Sequence, residues 1–571
     1  MGREWDCSAA MPYPSPSTPA NRPHPDPRRV PGRLADARSE IPSARLILFG
    51  VLALALALRL PGFTESLWID ELYTSNLFCG PTVVLLKTLF TDIHPPFYFV
   101  FIHFWNGLFG DSEIALRLPA LLSGLASIWL IYRLGIMAHR PSTGLVAAFL
   151  LAVNPVHIWY SQEARPYATT ILLTLLTVYA FWRLLETEQS FFWSLLYFCS
   201  LTALVFSHYY LAAFLVVLPL LAWSTKSPAR VRILFGSIVL MVLVGLYLGA
   251  KAYLSHVPTT KSYLRAFDAS EAYQLAFNWF LTGNSFTPQG NTTAVGAALL
   301  VVVQVLGVVA FLVGCARLLG SPARARGTQV LLLMLVLPAC LLALTLVGKN
   351  QTYIQRSALP ALPFFVLVIA AGIGGWRRLP LRRTFVGTAM TVQTGVLIAF
   401  FAHRGSWTVY KPNPDWKSVA AHLEHELATG APSELLSMYL SPTPLTYYNP
   451  RFREVKHFGR NQQKLDRLLT RSAKLFGKDG IPGSWIRGWI EDHFGAYERE
   501  LAAHKHNMQL AIHWVGNRDP LDIDKGEFWL LAYRGATPQR LRRVLDDPRT
   551  SIVSVQRFQS LLLYRVRRGS I

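Results

Sequence analysis

The sequence predicts an all-α polytopic membrane domain of about eleven transmembrane helices, followed by a small extracytoplasmic α/β domain. Three observations predict it. Of 571 residues, 52% are apolar and only 15% are charged, against roughly 25% charge in a soluble domain. The apolar residues clump into runs such as Leu46–Leu58, Leu299–Val313 and Leu331–Val347, and windows of roughly 17–25 apolar residues match the hydrocarbon thickness of a bilayer. These runs end near residue 403, and acidic residues concentrate beyond it. Such a chain is not a soluble enzyme, a nucleic-acid-binding module or a disordered polypeptide. Its net charge of +22 has to be read by position along the chain.

Residues 1–44 are rich in Pro, Arg and Ser, too long and too polar for the n-region of a signal peptide. They read as a disordered cytoplasmic tail. The spans that follow are expected at 45–62, 115–137, 143–160, 167–185, 191–207, 209–224, 231–252, 293–315, 329–347, 359–375 and 385–402. With the N-terminus inside, the loops carrying Arg133 and Arg140, Lys226, Arg230 and Arg232, Arg317, Arg324 and Arg326, and Arg377, Arg378, Arg382 and Arg383 all fall on the cytoplasmic side, as the positive-inside rule requires. His94–Phe109 is apolar but short, and counting it as a span would put every later basic loop outside. It therefore reads as an interfacial or re-entrant helix. The membrane domain then covers 45–402, with outer loops 63–113 and 253–292, and residues 403–571 form the extracytoplasmic domain. In that domain Asp415–Leu427 reads as an amphipathic helix, and Phe528–Tyr533, Pro538–Asp546 and Ser551–Arg567 as strand, helix, strand. The five cysteines, Cys7, Cys79, Cys199, Cys315 and Cys340, have neither metal-site nor disulfide-framework spacing.

Four segments on the outer side carry charge that orientation does not explain. In Ser66–Glu71 the adjacent carboxylates of Asp70 and Glu71 sit at the membrane surface, where ionisable groups are expensive. A solvated helix start that favours acids explains them equally well. In Asp92–Tyr98 a carboxylate and His94 are fixed by Pro95 and Pro96. An N-cap ahead of a first-turn proline accounts for Asp92 and the prolines but not for His94. In Tyr160–Tyr167, Glu163 and Arg165 need partners at membrane depth, and a local ion pair tying two helices together is the plain alternative. In Lys349–Pro363, Lys349, Tyr353 and Arg356 open a span. A fixed Arg there suits an anionic head group, and snorkelling is the competing explanation. Together, acids and fixed cations on one face point to a substrate with an anionic head and a lipid tail.

Leu67–Glu71, Asp92–Pro96, Gly110–Pro119 with its Ala115-Leu116-Arg117-Leu118-Pro119, Ser161–Tyr167 and Arg356–Pro363 occur in this order. In this the chain resembles the GT-C glycosyltransferases of the protein O-mannosyltransferase and aminoarabinose-transferase type (glycosyltransferase family 39 and its prokaryotic relatives). The likeness covers roughly 45–402 and, more weakly, the tail from Tyr410, where Asp415-Trp416-Lys417 is typical of such relatives. The resemblance implies a membrane enzyme that transfers a sugar, with inversion, from a polyprenyl-phosphate donor to a lipid, glycan or protein acceptor on the non-cytoplasmic face. It implies Asp70 as catalytic base and Glu71 as its positioner or an acceptor-binding group. It also implies Arg165, Arg356, Lys349 and His94 as donor-phosphate ligands, supported by Asp92, Glu163, Tyr167 and Tyr353. The location would be an integral membrane, the plasma membrane if the chain is prokaryotic. No cofactor is implied. A divalent cation is compatible with the chemistry, but no metal cluster is legible, and no DxD or Gly-rich nucleotide loop is present. The rival readings are an oligosaccharide polymerase or ligase, and a transporter or flippase of lipid-linked sugar. A transporter should carry mid-span charge pairs and broken helices in both halves. His422-Leu423-Glu424-His425 lacks the spacing of a metalloprotease helix and reads as an exposed face.

Overall fold

The computed structural model describes residues 44–78, 82–91, 94–187, 190–254, 274–286, 293–348, 355–376, 379–403, 414–437, 443–449, 451–454, 510–514, 526–533, 541, 544–558 and 561–569. Residues 1–43 of the expected tail, most of the loop 253–292, and Asp92, Lys349 and Tyr353 lie outside the described residues.

All eleven apolar segments are helical. They are α1 (Ala44–Arg59), α5 (Glu113–Ala138), α6 (Pro141–Ala152) with α7 (Pro155–Tyr160), α8 (Tyr167–Thr187), α9 (Phe191–Val205), α10 (Phe214–Trp223, entered through a 3-10 turn at Tyr209–Ala213), α11 (Ala229–Leu254), α12 (Ala294–Leu319), α13 (Arg324–Gly348), α14 (Leu362–Gly374, entered through a 3-10 turn at Gln355–Ala361) and α15 (Leu379–His403). Seven of these helical segments are long and apolar enough to cross a bilayer, and the chain is an integral membrane protein. The span expected at 143–160 is broken. Asn154 ends α6 and caps α7, its side chain accepting from the His157 amide at 3.0 Å, because Pro155 has no N–H with which to continue the helix. Three further helices, α2 (Ile69–Phe78), α3 (Thr82–Thr91) and α4 (Pro96–Phe109), lie between α1 and α5. With fourteen residues, α4 spans about 21 Å, short of the roughly 30 Å hydrocarbon core. It buries Tyr98, Phe99 and Ile102 and exposes Phe104, Leu108 and Phe109.

Helix α14 is the axle of the bundle. Every residue from Leu362 to Gly374 is buried. Its backbone meets that of α12 directly, since a Cβ at Gly372 would run into the Ala310 carbonyl and one at Gly314 into the Val368 carbonyl.

The loops sort to two ends. At one end Arg326 reaches the Met137 carbonyl and the Glu186 carboxylate, and Arg317 stacks over Trp376. At the other end Gln162 donates to the carbonyls of Arg59 and Pro61 at 2.8 and 2.6 Å, and this end carries α2–α4 and the C-terminal elements.

Those elements are α16 (Trp416–Ala428), α17 (Thr443–Tyr448) and a six-stranded mixed sheet of order β2-β3-β1-β4-β6-β5. The strands are β1 (Glu434–Ser437), β2 (Phe452–Glu454), β3 (Leu510–Trp514), β4 (Gly526–Tyr533), β5 (Thr550–Phe558) and β6 (Leu561–Arg568). Strands β2, β3, β1 and β4 pair in parallel, and β4–β6 and β6–β5 are antiparallel. The stretch expected as one strand at 551–567 is therefore a hairpin, with Phe558 opposite Leu561. Of the helix expected at 538–546, only residues 541 and 544–546 are described, with 541 and 544–545 helical.

The Asp415-Trp416-Lys417 element docks this sheet. Asp415 caps α16 by accepting from the Ser418 amide at 3.1 Å, and it also accepts from the Ser66 hydroxyl at 3.5 Å. The Lys417 amide donates to Ser66 at 3.2 Å, and its ammonium pairs with Glu113 at 3.2 Å. Trp416 is fully buried in one core with Leu67, Leu72 and Leu116 on one side and Leu423, Leu435, Trp529 and Leu563 on the other. Removing a buried Trp side chain costs about 3–5 kcal/mol. Trp416→Ala is expected to release the C-terminal part, read as new trypsin cleavage beyond α16 with the helical bundle still intact.

Candidate active site

The Asp70 site begins with the turn after α1. Helix α2 carries Asp70 and Glu71 in its first turn, where carboxylates oppose the helix dipole. The two acids then diverge. Glu71 is buried and wholly engaged. It accepts from its own helix start, the Trp68 amide at 2.8 Å, as the third residue of a capping box does. It also accepts from the Ala164 amide at 2.8 Å and, in a two-pronged pair, from Arg117 Nε and Nη2 at 2.9 and 2.7 Å. Arg117, also buried, spends its remaining N–H groups on the carbonyls of Gly62, Phe63, Glu65 and Ser66 at 2.8–3.3 Å. The pair thus joins α2, α5, the 62–66 turn and the 161–166 loop. A carboxylate with four N–H donors on its two oxygens has the geometry of a keystone rather than of a reacting group.

Asp70 turns the other way. Its carboxylate is partly open, 34% exposed, and stands 3.5 Å from Arg356 Nη1, whose side chain is 46% exposed. An ion pair this long and this exposed is weak and easily opened by a ligand. The Asp70 carbonyl receives Thr74 Oγ1 at 3.1 Å and Arg165 Nη1 at 3.3 Å.

Arg165 is buried. Its guanidinium reaches Thr74 Oγ1 at 3.2 Å and His94 Nε2 at 3.2 Å, and lies over the Phe99 ring. Its Nε is buried without a partner among the described residues. A guanidinium only donates, so His94 Nε2 accepts and Nδ1 carries the ring proton. Rings of Tyr73 and Phe99 hold His94 at 5.4 and 5.3 Å between centroids. Its carbonyl accepts from Lys251 Nζ at 3.0 Å, and Lys251 also reaches Tyr209 Oη at 3.3 Å. Tyr167 packs edge-on against Tyr160, 4.7 Å between centroids.

The electrostatics follow from this crowding. Glu163 is half-buried yet closely surrounded, and its carboxyl is pushed up to about 8, first by desolvation and then by the carboxylates of Glu71 and Asp70. His208 is pushed down to about 4, first by burial and then by Arg356 and His94.

Of the residues expected from the sequence, Asp70, Glu71, His94, Glu163, Arg165, Tyr167 and Arg356 converge here. Arg117, Lys251 and His208 were not expected. Arg117 and Lys251 lie inside expected spans, where an ionisable side chain is itself a signal. His208 is the single residue between two expected spans and carries no such signal. Among the described residues no group of three His, Cys, Asp or Glu is placed to hold a metal ion.

Residues 93–250 match the dolichyl-phosphate-mannose-protein mannosyltransferase family. The fold is similar to that of ArnT from Cupriavidus metallidurans bound to undecaprenyl phosphate, at 12% identity and a TM-score of 0.51 over 92% of this chain and 98% of that one. A further match, to the Archaeoglobus fulgidus oligosaccharyltransferase tethered with an acceptor peptide, has 11% identity and a TM-score of 0.42 over 72% and 63% of the two chains. No curated protein sequence matches the chain. The family match thus covers 93–250, and over nearly its whole length the chain has a fold similar to that of ArnT.

Proposed function

We propose that the protein transfers a sugar from a polyprenyl-phosphate donor to the hydroxyl of a lipid, glycan or protein acceptor on the non-cytoplasmic face, inverting the anomeric centre. The observation that carries this is the half-open Asp70 carboxylate beside Arg356, at the bundle end where Arg165, His94 and Lys251 converge. In this reading residues 45–402 form the catalytic membrane domain and 403–571 the outer domain. Asp70 takes the proton of the acceptor hydroxyl as its oxygen attacks the anomeric carbon. The bond from that carbon to the phosphate oxygen breaks on the opposite face, and the lipid phosphate leaves with the electron pair. Arg356 and Arg165 stabilise the charge gathering on that phosphate, as fixed guanidinium groups do for developing anions, and His94 and Lys251 complete its cradle. Glu71 and Arg117 hold Asp70 in place. The undecaprenyl phosphate in the structure of similar fold supports a lipid-phosphate donor.

Incubating the purified protein with a panel of polyprenyl-phosphate sugars, and weighing the products, tests the proposal. Sugar transfer with release of polyprenyl phosphate supports it. Movement of intact lipid-linked sugar across a vesicle membrane without transfer would establish the transporter instead. A reporter fused after Arg568 that proves cytoplasmic would overturn the assignment of faces.

Glu163 gives a pH dependence. A glutamate that holds its proton up to about 8 adds no negative charge beside Arg165 and Arg356 at neutral pH. Donor-lipid affinity should fall as pH rises through about 8, because ionised Glu163 then opposes the phosphate. Folded stability declines over the same window, from the ordinary glutamate range upward, since the folded state binds the proton more tightly than the unfolded chain. Glu163→Gln is expected to flatten both profiles, measured as lipid-phosphate binding and thermal midpoint from pH 5 to 9.

A further inference from the structure

Helices α12, α14 and α15 enclose a cavity of about 350 Å³ that runs along α14 from Phe365 and Phe280 to Trp376. Its floor is α14, with Phe365, Ile369 and Ile373, and its walls include Ala310 of α12 and Ala389 of α15. Leu306 and Val309 on its rim are exposed, so the cavity communicates with the membrane-facing surface. Phe286, Val303 and Val396 pack into a cluster beside it, and Val303 also lines it. Its two amide side chains are turned to protein, and Thr388 adds one hydroxyl to an otherwise largely apolar lining. Asn154 donates to the Phe280 carbonyl at 2.7 Å, and Gln393 donates to the Val153 carbonyl at 3.1 Å. The interior therefore suits hydrocarbon and not a polar group.

The far end has the opposite character. Trp376 and Phe385 stack there, 4.8 Å between centroids and 3° from parallel. Arg317 lies over Trp376 at 4.1 Å and donates to the carbonyls of Ala371 and Gly372 at 3.2 and 3.1 Å. Gly375 makes this possible, since a Cβ there would meet the guanidinium at 2.7 Å. Trp376 lines the cavity, and its indole N–H is buried with no acceptor among the described residues. No carboxylate among the described residues lies within ion-pair distance of Arg317. Arg382 stands one turn before Phe385 on the same face of α15. Arg140 is close enough that, after burial, it and Arg317 help to push His139 down to about 4. A hydrocarbon slot thus opens at an aromatic and cationic rim, where no carboxylate among the described residues pairs with Arg317.

We propose that this slot binds an anionic glycerophospholipid of the surrounding membrane, with one acyl chain in the cavity and the phosphodiester at Arg317, Trp376 and Arg382. Guanidinium groups pair well with phosphate, Trp favours the membrane interface, and basic pockets between transmembrane helices recognise anionic head groups. The lipid would hold α15 against α12 and α14, which α15 otherwise meets along a narrow seam. The site is distinct from the Asp70 site and does not depend on the reaction proposed for it.

The test uses the full chain in neutral detergent, titrated with dioleoyl phosphatidylglycerol or dioleoyl phosphatidylcholine and read by native mass spectrometry and thermal midpoint. Phosphatidylglycerol should be retained about tenfold more tightly than phosphatidylcholine, as expected for one to two guanidinium contacts, and should raise the midpoint more. Arg317→Gln should erase the preference. Ala389→Trp, which fills the slot, should erase retention of both lipids, while Val242→Trp on the exposed face of α11 should leave it unchanged. Equal retention of the two lipids by the wild-type protein overturns the proposal without recourse to any variant. So does undiminished phosphatidylglycerol retention in Ala389→Trp, or stoichiometric displacement of the lipid by polyprenyl phosphate.

Discussion

Asp70→Asn is expected to lower sugar transfer by about 10²–10⁴-fold, the range a positioned general base supplies, while donor-lipid binding is kept or strengthened. The asymmetry follows from the position of Asp70. Its carboxylate is the one acid of the α2 start that is not consumed by N–H donors, and its nearest cation is Arg356 at 3.5 Å. Asparagine keeps the shape and loses both the charge and the proton affinity. An acceptor hydroxyl then has no base beside it, whereas Arg356, no longer partly neutralised, is freer for phosphate. Initial rates and lipid-phosphate affinity, measured on the same preparation, separate the two effects. Full transfer by Asp70→Asn would remove Asp70 as base. Loss of binding together with rate would make it a scaffold residue.

The second large effect is expected at Arg117. Arg117→Leu strands the buried Glu71 carboxylate and leaves up to four carbonyls of the 62–66 turn without their donor. Breaking a buried pair from one side typically costs about 3–5 kcal/mol. Glu71→Leu alone should cost a similar amount. The double variant Arg117→Leu/Glu71→Leu should recover part of the loss, because the uncompensated charge is gone. Thermal midpoints of the four proteins in one detergent check this. A single variant that melts like the wild type would show that the pair is not the keystone. Transfer activity should fall with Arg117→Leu as well, since α2, and with it Asp70, is anchored through Glu71.

Hydropathy is a local property, and so the eleven helices were legible from the chain. Each apolar run satisfies its backbone internally whatever its neighbours are. The break at Asn154-Pro155 was written in the residues but was read across. In the C-terminal domain, where strands are stabilised by partners distant in sequence, the alternation over 551–567 does not reveal the turn that makes 550–568 a hairpin. Four of the residues that meet at the site, Asp70, His94, Arg165 and Arg356, stood out because charge is scarce in this chain. The role of Glu71 was open between reacting and positioning. Only the approach of Arg117 from α5, 46 residues away, favours positioning.

By itself the sequence determined that the chain lives in a membrane, where its helices lie, and that unusual charge gathers in loops of one parity. It did so because burial in lipid imposes one strong rule on consecutive residues. Tertiary structure decided which of two adjacent acids is buried and which is open. It brought Arg165 to His94, placed Lys251 beneath His94, and seated Trp416 against the Asp70 turn. Those outcomes depend on which helix ends meet, and a pairing energy between side chains dozens to hundreds of residues apart leaves no periodic mark on the sequence.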